Sequence, residues 1–363
     1  MSMFARARTV GKRFALAALS VVTAGSLSLA GVTDAQAQGN REWLRPDATG
    51  TCEWSQVQHW VQRCDVFSPA MGRTIPVLVQ PSKAGGNAGL YLLDGMRAED
   101  NQSGWALYTD AAALYEDSNI NVIMPIGGAG SFYTDWEAPA TYLSSESAEN
   151  ALSSSLSGSV GSSAPHAPIV YKWETFLTAE LPGYLQQHFG VDPQRNTIAG
   201  ISMGGTAAMN LAARHPGQFK QAMSFSGYLT MTAPGMQSLL RGALLASGGY
   251  NVNSMYGTVL SPRRFENDPY WNMEGLRNTD VYVSAASGFP APYDQGLPAF
   301  NKVVGFSLEQ VARSSTAAWE IKARAIGLNP TVDYMPAGVH NWGIWQDQLH
   351  KTKARVLNFH NAW

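Results

Sequence analysis

The order of apolar and polar positions along the chain switches repeatedly between the period of a strand and the period of a helix. Residues 73–80 alternate, which predicts a strand, and Pro76 lacks the N–H of a ladder donor, which predicts an edge position. Residues 89–93 and 120–124 are continuous apolar runs of the kind found in strands buried on both faces. Between those runs, residues 104–117 carry a helical pattern. Residues 171–188 place Trp173, Phe176, Leu177, Leu181 and Leu185 at helical spacing. Further strand patterns fall at 219–226 and 279–286, and a last helix is expected over 343–359. Residues 230–275, rich in Gly, Met, Ser and aromatics, are expected to form an insertion above the sheet. Strand and helix in alternation predict an α/β fold, with a mostly parallel doubly wound sheet and helices on both faces.

Two stretches fall outside this pattern. Arg6, Arg8, Lys12 and Arg13 precede an apolar run over 14–30 and then Asp34-Ala35-Gln36-Ala37, the layout of a secretory signal peptide cleaved after Ala37. Residues 144–163 hold ten serines in twenty positions and few large apolar groups, which predicts a surface loop that gains little from burial. The loop interrupts the strand and helix alternation without ending it, so residues 38–363 are expected to form one domain.

Composition narrows the function. A formal net charge of -2 and 14% charged residues give no basic surface for nucleic acid. The two cysteines, Cys52 and Cys64, lie just after the expected leader of an exported chain. They are expected to form one disulfide closing a short loop, worth at most about 3 kcal/mol in loop-closure entropy. No histidine spacing accompanies them, so no metal site is expected. No cofactor-binding motif is present either, because Gly127-Gly-Ala-Gly130 has neither a phosphate-binding lysine nor the dinucleotide spacing.

The candidate chemistry sits at Gly200-Ile-Ser202-Met-Gly204. There an apolar strand pattern meets a helical one in the G-x-S-x-G form of a nucleophile elbow. A serine needs a base, and in this architecture the acid and then the histidine follow the nucleophile in the chain. His59, His166 and His188 come too early. His215 ends the elbow helix, where it would answer the helix dipole, and His350 and His360 are expected on the surface of the last helix. His340, in a loop before that helix, is the expected base. The acid is open between Asp294, in the loop after 279–286, and Glu309. Ser307-Leu-Glu309-Gln310 reads as a capping box, with Glu309 in the first turn of a helix. The backbone N–H groups of Met203 and Met96 are the expected oxyanion donors, and Asp94 and Arg97 would flank the serine.

Beyond the elbow, Tyr91-Leu-Leu-Asp-Gly-Met-Arg-Ala98, Ser131-Phe-Tyr-Thr-Asp-Trp136, Tyr171-Lys-Trp-Glu-Thr-Phe-Leu177, Arg313-Ser-Ser315 and His340-Asn-Trp342 follow one another in order. In these motifs the chain resembles the secreted mycolyltransferases of mycolic-acid actinobacteria, which include the antigen 85 complex and the corynomycolyltransferases. The resemblance implies an α/β-hydrolase fold. It also implies transfer of a mycoloyl chain from trehalose monomycolate through an acyl-serine enzyme in the cell envelope, by a monomer in contact with envelope lipid. It maps the acid to Glu309, the oxyanion donors to Met96 and Met203, and sugar contacts to Asp94, Arg97 and Trp342. The chain departs from the family pattern at Ser103-Gly-Trp-Ala106 and at Asn341. These departures leave the acceptor open between a second trehalose mycolate, a cell-wall glycan and a protein hydroxyl.

Overall fold

The computed structural model describes residues 51–140 and 168–363. The expected leader and the serine-rich segment lie outside the described residues. Nine strands form one sheet: β1 (Cys52–Gln56), β2 (Val61–Ser68), β3 (Arg73–Gln80), β4 (Ala88–Leu93), β5 (Ile120–Pro125), β6 (Asn196–Ile201), β7 (Phe219–Phe225), β8 (Asp280–Ala286) and β9 (Thr331–Met335). Their order is β1-β2-β3-β5-β4-β6-β7-β8-β9. The first four in that order pair antiparallel, and every pair from β5 to β9 is parallel. Cys52 and Cys64 face each other across β1 and β2 and are joined by a disulfide.

The chain leaves β4 towards β5 on one side and leaves β6 towards β7 on the other. Neighbouring strands whose connections diverge make a crevice at their carboxyl ends, the place where open α/β sheets bind ligands. Both loops singled out in the sequence, after β4 and after β6, open into that crevice.

Alternation along the strands separates two cores. Tyr91, Leu93 and Ile198 face a layer that includes α3 (Leu181–Phe189) and α4 (Met203–Arg214), while Leu90, Leu92, Ala199 and Ile201 face the opposite layer. That second layer contains Trp105 of α1 (Gly104–Tyr108), Tyr115 of α2 (Ala111–Tyr115), and Ile344, Trp345 and Leu349 of the last helix (Trp342–His360).

Three expectations are corrected. β3 is interior, paired with β2 on one side and β5 on the other. Pro76 is tolerated because its carbonyl side faces β5, whose pairing stops at Val77 and Pro125; beyond it, Ile126 N–H donates to the Pro76 carbonyl, so no ladder bond needs the missing proton. The single helix expected over 104–117 is broken between Tyr108 and Ala111. His360 is buried, with Nε2 2.8 Å from Thr197 Oγ1, and burial pushes its ring down to about 4.

Candidate active site

The elbow is built as its glycines require. Ser202 follows β6 with φ +50° and ψ -117°, a strained conformation for a residue with a side chain. It is held by its N–H on the Phe225 carbonyl at 2.9 Å and by Thr206 N–H on its own carbonyl at 3.0 Å. A Cβ on Gly200 would overlap the Gly204 carbonyl, and one on Gly204 would strike the carbonyls of Leu93 and Asp94. The second contact also fixes how closely the loop after β4 approaches the serine. Cβ built on Gly95 would sit 3.7 Å from Ser202 Cβ.

His340 and Glu309 converge on this serine from later in the chain. His340 Nε2 lies 2.8 Å from Ser202 Oγ, and Nδ1 lies 2.7 Å from Glu309 Oε2. An ionised carboxylate only accepts, so Nδ1 carries the proton and Nε2 accepts from the serine hydroxyl. The other carboxylate oxygen, Oε1, accepts from Ser226 Oγ at 2.9 Å and from Ala286 N–H at 2.7 Å, and Trp345 Nε1 donates in turn to Ser226 Oγ at 3.1 Å. Glu309 is fully buried, and these bonds fix its orientation.

Glu309 is not in a first helical turn. Its helix, α9, runs over Ala299–Ala325, after α5 (Met236–Gly248), α6 (Val252–Tyr256), α7 (Pro262–Glu266) and α8 (Pro269–Asn272) of the insertion. Ser307 donates back to the Val303 carbonyl at 3.1 Å, so it caps nothing. Bonds at mid-helix therefore replace the dipole that the capping pattern suggested. Asp294 stays apart from the imidazole. Buried, its Oδ2 accepts from Ala291 N–H at 2.9 Å and Val339 N–H at 3.1 Å, which holds the backbone next to His340; His340 N–H in turn donates to the Gly305 carbonyl of α9 at 3.1 Å. His215 binds Glu174 at 2.8 Å, on the far end of α4.

Met203 opens α4, buried behind the serine, and its sulfur accepts from Phe132 N–H at 3.2 Å. The Met96 carbonyl accepts from Gly130 at 3.0 Å, and Tyr133 Oη accepts from Asp94 N–H at 3.1 Å. The glycine-rich loop and the aromatic segment after it thus prop the loop that carries Met96. Asp94 is buried, with Oδ2 accepting from Gly104 N–H at 2.9 Å and no partner on Oδ1 among the described residues. Burial pushes its carboxyl up to about 7. Arg97 is exposed. Trp342 is half-buried between Tyr108, Trp105 and Trp345, with ring centroids 5.2, 5.7 and 5.2 Å away, and it packs over the Cα of Gly104 beside Asp94.

The sequence reading missed Ser226, Tyr228 and Trp345. Ser226-Gly-Tyr228 follows β7, the neighbour of β6, so its place at the carboxyl end of the sheet was an available signal. The Tyr228 ring lies 5.9 Å from the His340 ring, tilted by 35°.

Known proteins show the family and the fold to which the chain belongs. The Esterase family profile matches residues 68–356. The diacylglycerol acyltransferase/mycolyltransferase Ag85A of Mycobacterium tuberculosis is 37% identical over 296 residues, covering 81% of this chain and 79% of that protein. Ag85C of Mycobacterium leprae is 34% identical over 308 residues, covering 83% of each. The crystal structure of Mycobacterium tuberculosis MPT51 superposes with a TM-score of 0.67 at 28% identity, covering 82% of this chain and 98% of that one. The chain therefore belongs to the Ag85 diacylglycerol acyltransferase/mycolyltransferase family, on an α/β-hydrolase fold.

Proposed function

We propose that this chain transfers a mycoloyl group from trehalose monomycolate, through an ester on Ser202, to a hydroxyl acceptor in the cell envelope. The observation that carries the reading is the unbroken hydrogen-bond chain from Glu309 through His340 to Ser202 at the sheet's switch point. In the first half-reaction His340 Nε2 takes the Ser202 proton as Oγ attacks the ester carbonyl. Glu309 stabilises the imidazolium, and the N–H groups of Met96 and Met203 receive the oxyanion. Trehalose leaves with the proton from His340. In the second half-reaction an acceptor hydroxyl gives its proton to Nε2 and displaces Oγ.

Asp94, Arg97 and Trp342 are proposed to bind the sugar, with the free Oδ1 of Asp94 accepting from a sugar hydroxyl. Donor and acceptor are trehalose mycolates and cell-wall glycan or protein hydroxyls, met outside the cytoplasm after removal of the leader. Phe289, Tyr293, Phe300 and Val303 are exposed apolar side chains on the segments that hold the His340 loop, which supports contact with envelope lipid. Among the described residues no helix is long and apolar enough to cross a membrane.

Mass spectrometry of the products formed from trehalose monomycolate with trehalose, arabinogalactan fragments or a serine peptide tests this. Acyl product on one of these hydroxyls is the expected result. Free mycolic acid as sole product would make the chain a carboxylesterase on the same triad.

A further inference from the structure

Three hydrogen bonds tie both expected oxyanion donors to one short segment, residues 130–133, that the chemistry so far does not use. Gly130 N–H donates to the Met96 carbonyl at 3.0 Å, in the loop after β4. Phe132 N–H donates to the Met203 sulfur at 3.2 Å, in the first turn of α4. Asp94 N–H, two residues before Met96, donates to Tyr133 Oη at 3.1 Å. The segment that makes these contacts is strained and enclosed. Phe132 and Tyr133 are consecutive residues with side chains at φ +52° and +49°, and both are buried. Ser131 holds the turn, its Oγ accepting from Tyr133 N–H at 3.0 Å and its carbonyl from Trp136 Nε1 at 3.0 Å. The Tyr133 ring meets Trp173 in a T-shaped contact, with centroids 5.3 Å apart. Left-handed backbone at two such residues in a row persists only where the surroundings over-determine it, and strain of this kind clusters at active sites. Here it delivers a phenol oxygen to one loop beside Ser202 and a peptide N–H to the other.

We infer that Tyr133 is a positioning residue for the oxyanion: by accepting from Asp94 N–H it seats the loop after β4 on the segment that also holds the Met203 side chain, so that the Met96 and Met203 N–H groups converge on one oxygen. The inference rests on the oxyanion assignment made under the proposed function. In acylation the Ser202 proton passes to His340 Nε2, Oγ bonds to the ester carbonyl carbon, and the carbonyl π pair moves onto its oxygen. Both N–H groups must then reach that oxygen together. Met203 N–H is placed by its helix. Met96 N–H rides on a loop, and the start of that loop is placed by the acceptor given to Asp94 N–H. A buried N–H left unmet is costly and shifts towards another partner, carrying Met96 with it. The loss falls on the tetrahedral state more than on substrate binding, because the ground-state carbonyl asks less of its donors. Removing one oxyanion donor outright costs about 10²- to 10³-fold in kcat, so a displaced one is expected to cost about 10- to 100-fold.

Tyr133→Phe removes the phenol oxygen and keeps the ring on Trp173. The probes are p-nitrophenyl butyrate and its thiono analogue, in which sulfur, larger and a poorer acceptor, replaces the carbonyl oxygen. Endpoint labelling with a fluorophosphonate counts competent Ser202 sites, so kcat is read per site. The expected result with the oxygen ester is a kcat about 10- to 100-fold lower with KM kept. The rate ratio of oxygen to thiono ester is expected to shrink as well, because a loosened site favours oxygen less. A tyrosine that only supports the fold would lower the number of labelled sites and leave kcat per site and the ratio as they were. That result, or a raised KM at constant kcat, would overturn the inference. If Tyr133→Phe gives no labelled protein, Met203→Leu, which removes the sulfur acceptor and keeps the Met203 N–H, must lower kcat and the ratio in the same way or the inference fails. An unaltered protein that turns over both esters equally would sink the oxyanion assignment and this inference with it. A strong preference for the oxygen ester that Tyr133→Phe leaves untouched, in rate and in ratio, refutes the inference alone.

Discussion

The two flanks of Ser202 are finished to different degrees. On the β7 and β8 side every polar atom of the acid and base is engaged: Glu309 accepts from His340, Ser226 and Ala286, and His340 links Glu309 to Ser202. On the β4 side Asp94 is equally buried yet keeps one carboxylate oxygen without a partner among the described residues, while Arg97 extends into solvent. A buried carboxylate costs stability unless its lone pairs are met. The difference teaches that the acyl-transfer machinery is preorganised in the free protein, whereas the sugar side is completed by its ligand.

The largest effect should come from breaking the finished flank. Ser202→Ala is expected to lower kcat for transfer by about 10⁶, read in a purified assay with trehalose monomycolate. Glu309→Gln keeps the shape but loses the charge that supports the imidazolium and should cost about 10⁴ in kcat, with little change in KM. Near-normal turnover in either variant would mean that the hydrogen-bonded chain is structural only.

The unfinished flank should respond differently. Asp94→Asn is expected to lower kcat/KM for the sugar by about 10- to 100-fold, the worth of a hydrogen bond to a charged group, while leaving fluorophosphonate labelling of Ser202 intact. The same variant tests the pH linkage. The folded-state carboxyl lies at about 7, above its ordinary 3.8, so between those values the folded protein holds a proton that the unfolded chain releases. This group's contribution is therefore fully favourable below about 4 and is lost as pH rises to about 7, by about 4 kcal/mol at most. Asp94→Asn should flatten stability over that window in denaturant titrations. An unchanged pH profile would show that Asp94 is solvated in the free protein.

The smallest effect is expected where Ser315 of α9 accepts from the backbone after β7, Leu229 N–H at 2.7 Å and Thr230 N–H at 2.9 Å. Ser315→Ala leaves Leu229 and Thr230 N–H unmet and should cost about 1–3 kcal/mol of stability, with less than a tenfold loss of activity. Loss of all activity at full stability would give Ser315 a chemical role that the geometry does not suggest.

The unequal legibility of these parts has physical causes. Gly200 and Gly204 exposed the elbow because only close backbone approach demands glycine on both sides of a serine. The buried strands were readable from their apolar runs. Pro76 misled because whether a proline harms a ladder depends on where the partner strand ends, which is not local information. Ser307 misled in the same way, since a capping pattern inside a longer helix leaves its serine to bond the preceding turn. Residue chemistry alone left Asp294 and Glu309 even, and the family motif chose between them. The structure shows why both are buried, one on the imidazole and one on the backbone beside it. Tyr228 was invisible because its position comes from backbone bonds to Thr206, distant in sequence and adjacent only in the fold.

The central claim is that Ser202 carries the acyl group between donor and acceptor. Peptide mapping after brief reaction with trehalose monomycolate tests it most directly. The account predicts a mycoloyl ester on the peptide containing Ser202, which disappears on addition of acceptor as acylated acceptor forms. Transfer proceeding with no adduct on that peptide, or an adduct on a different residue, would contradict it.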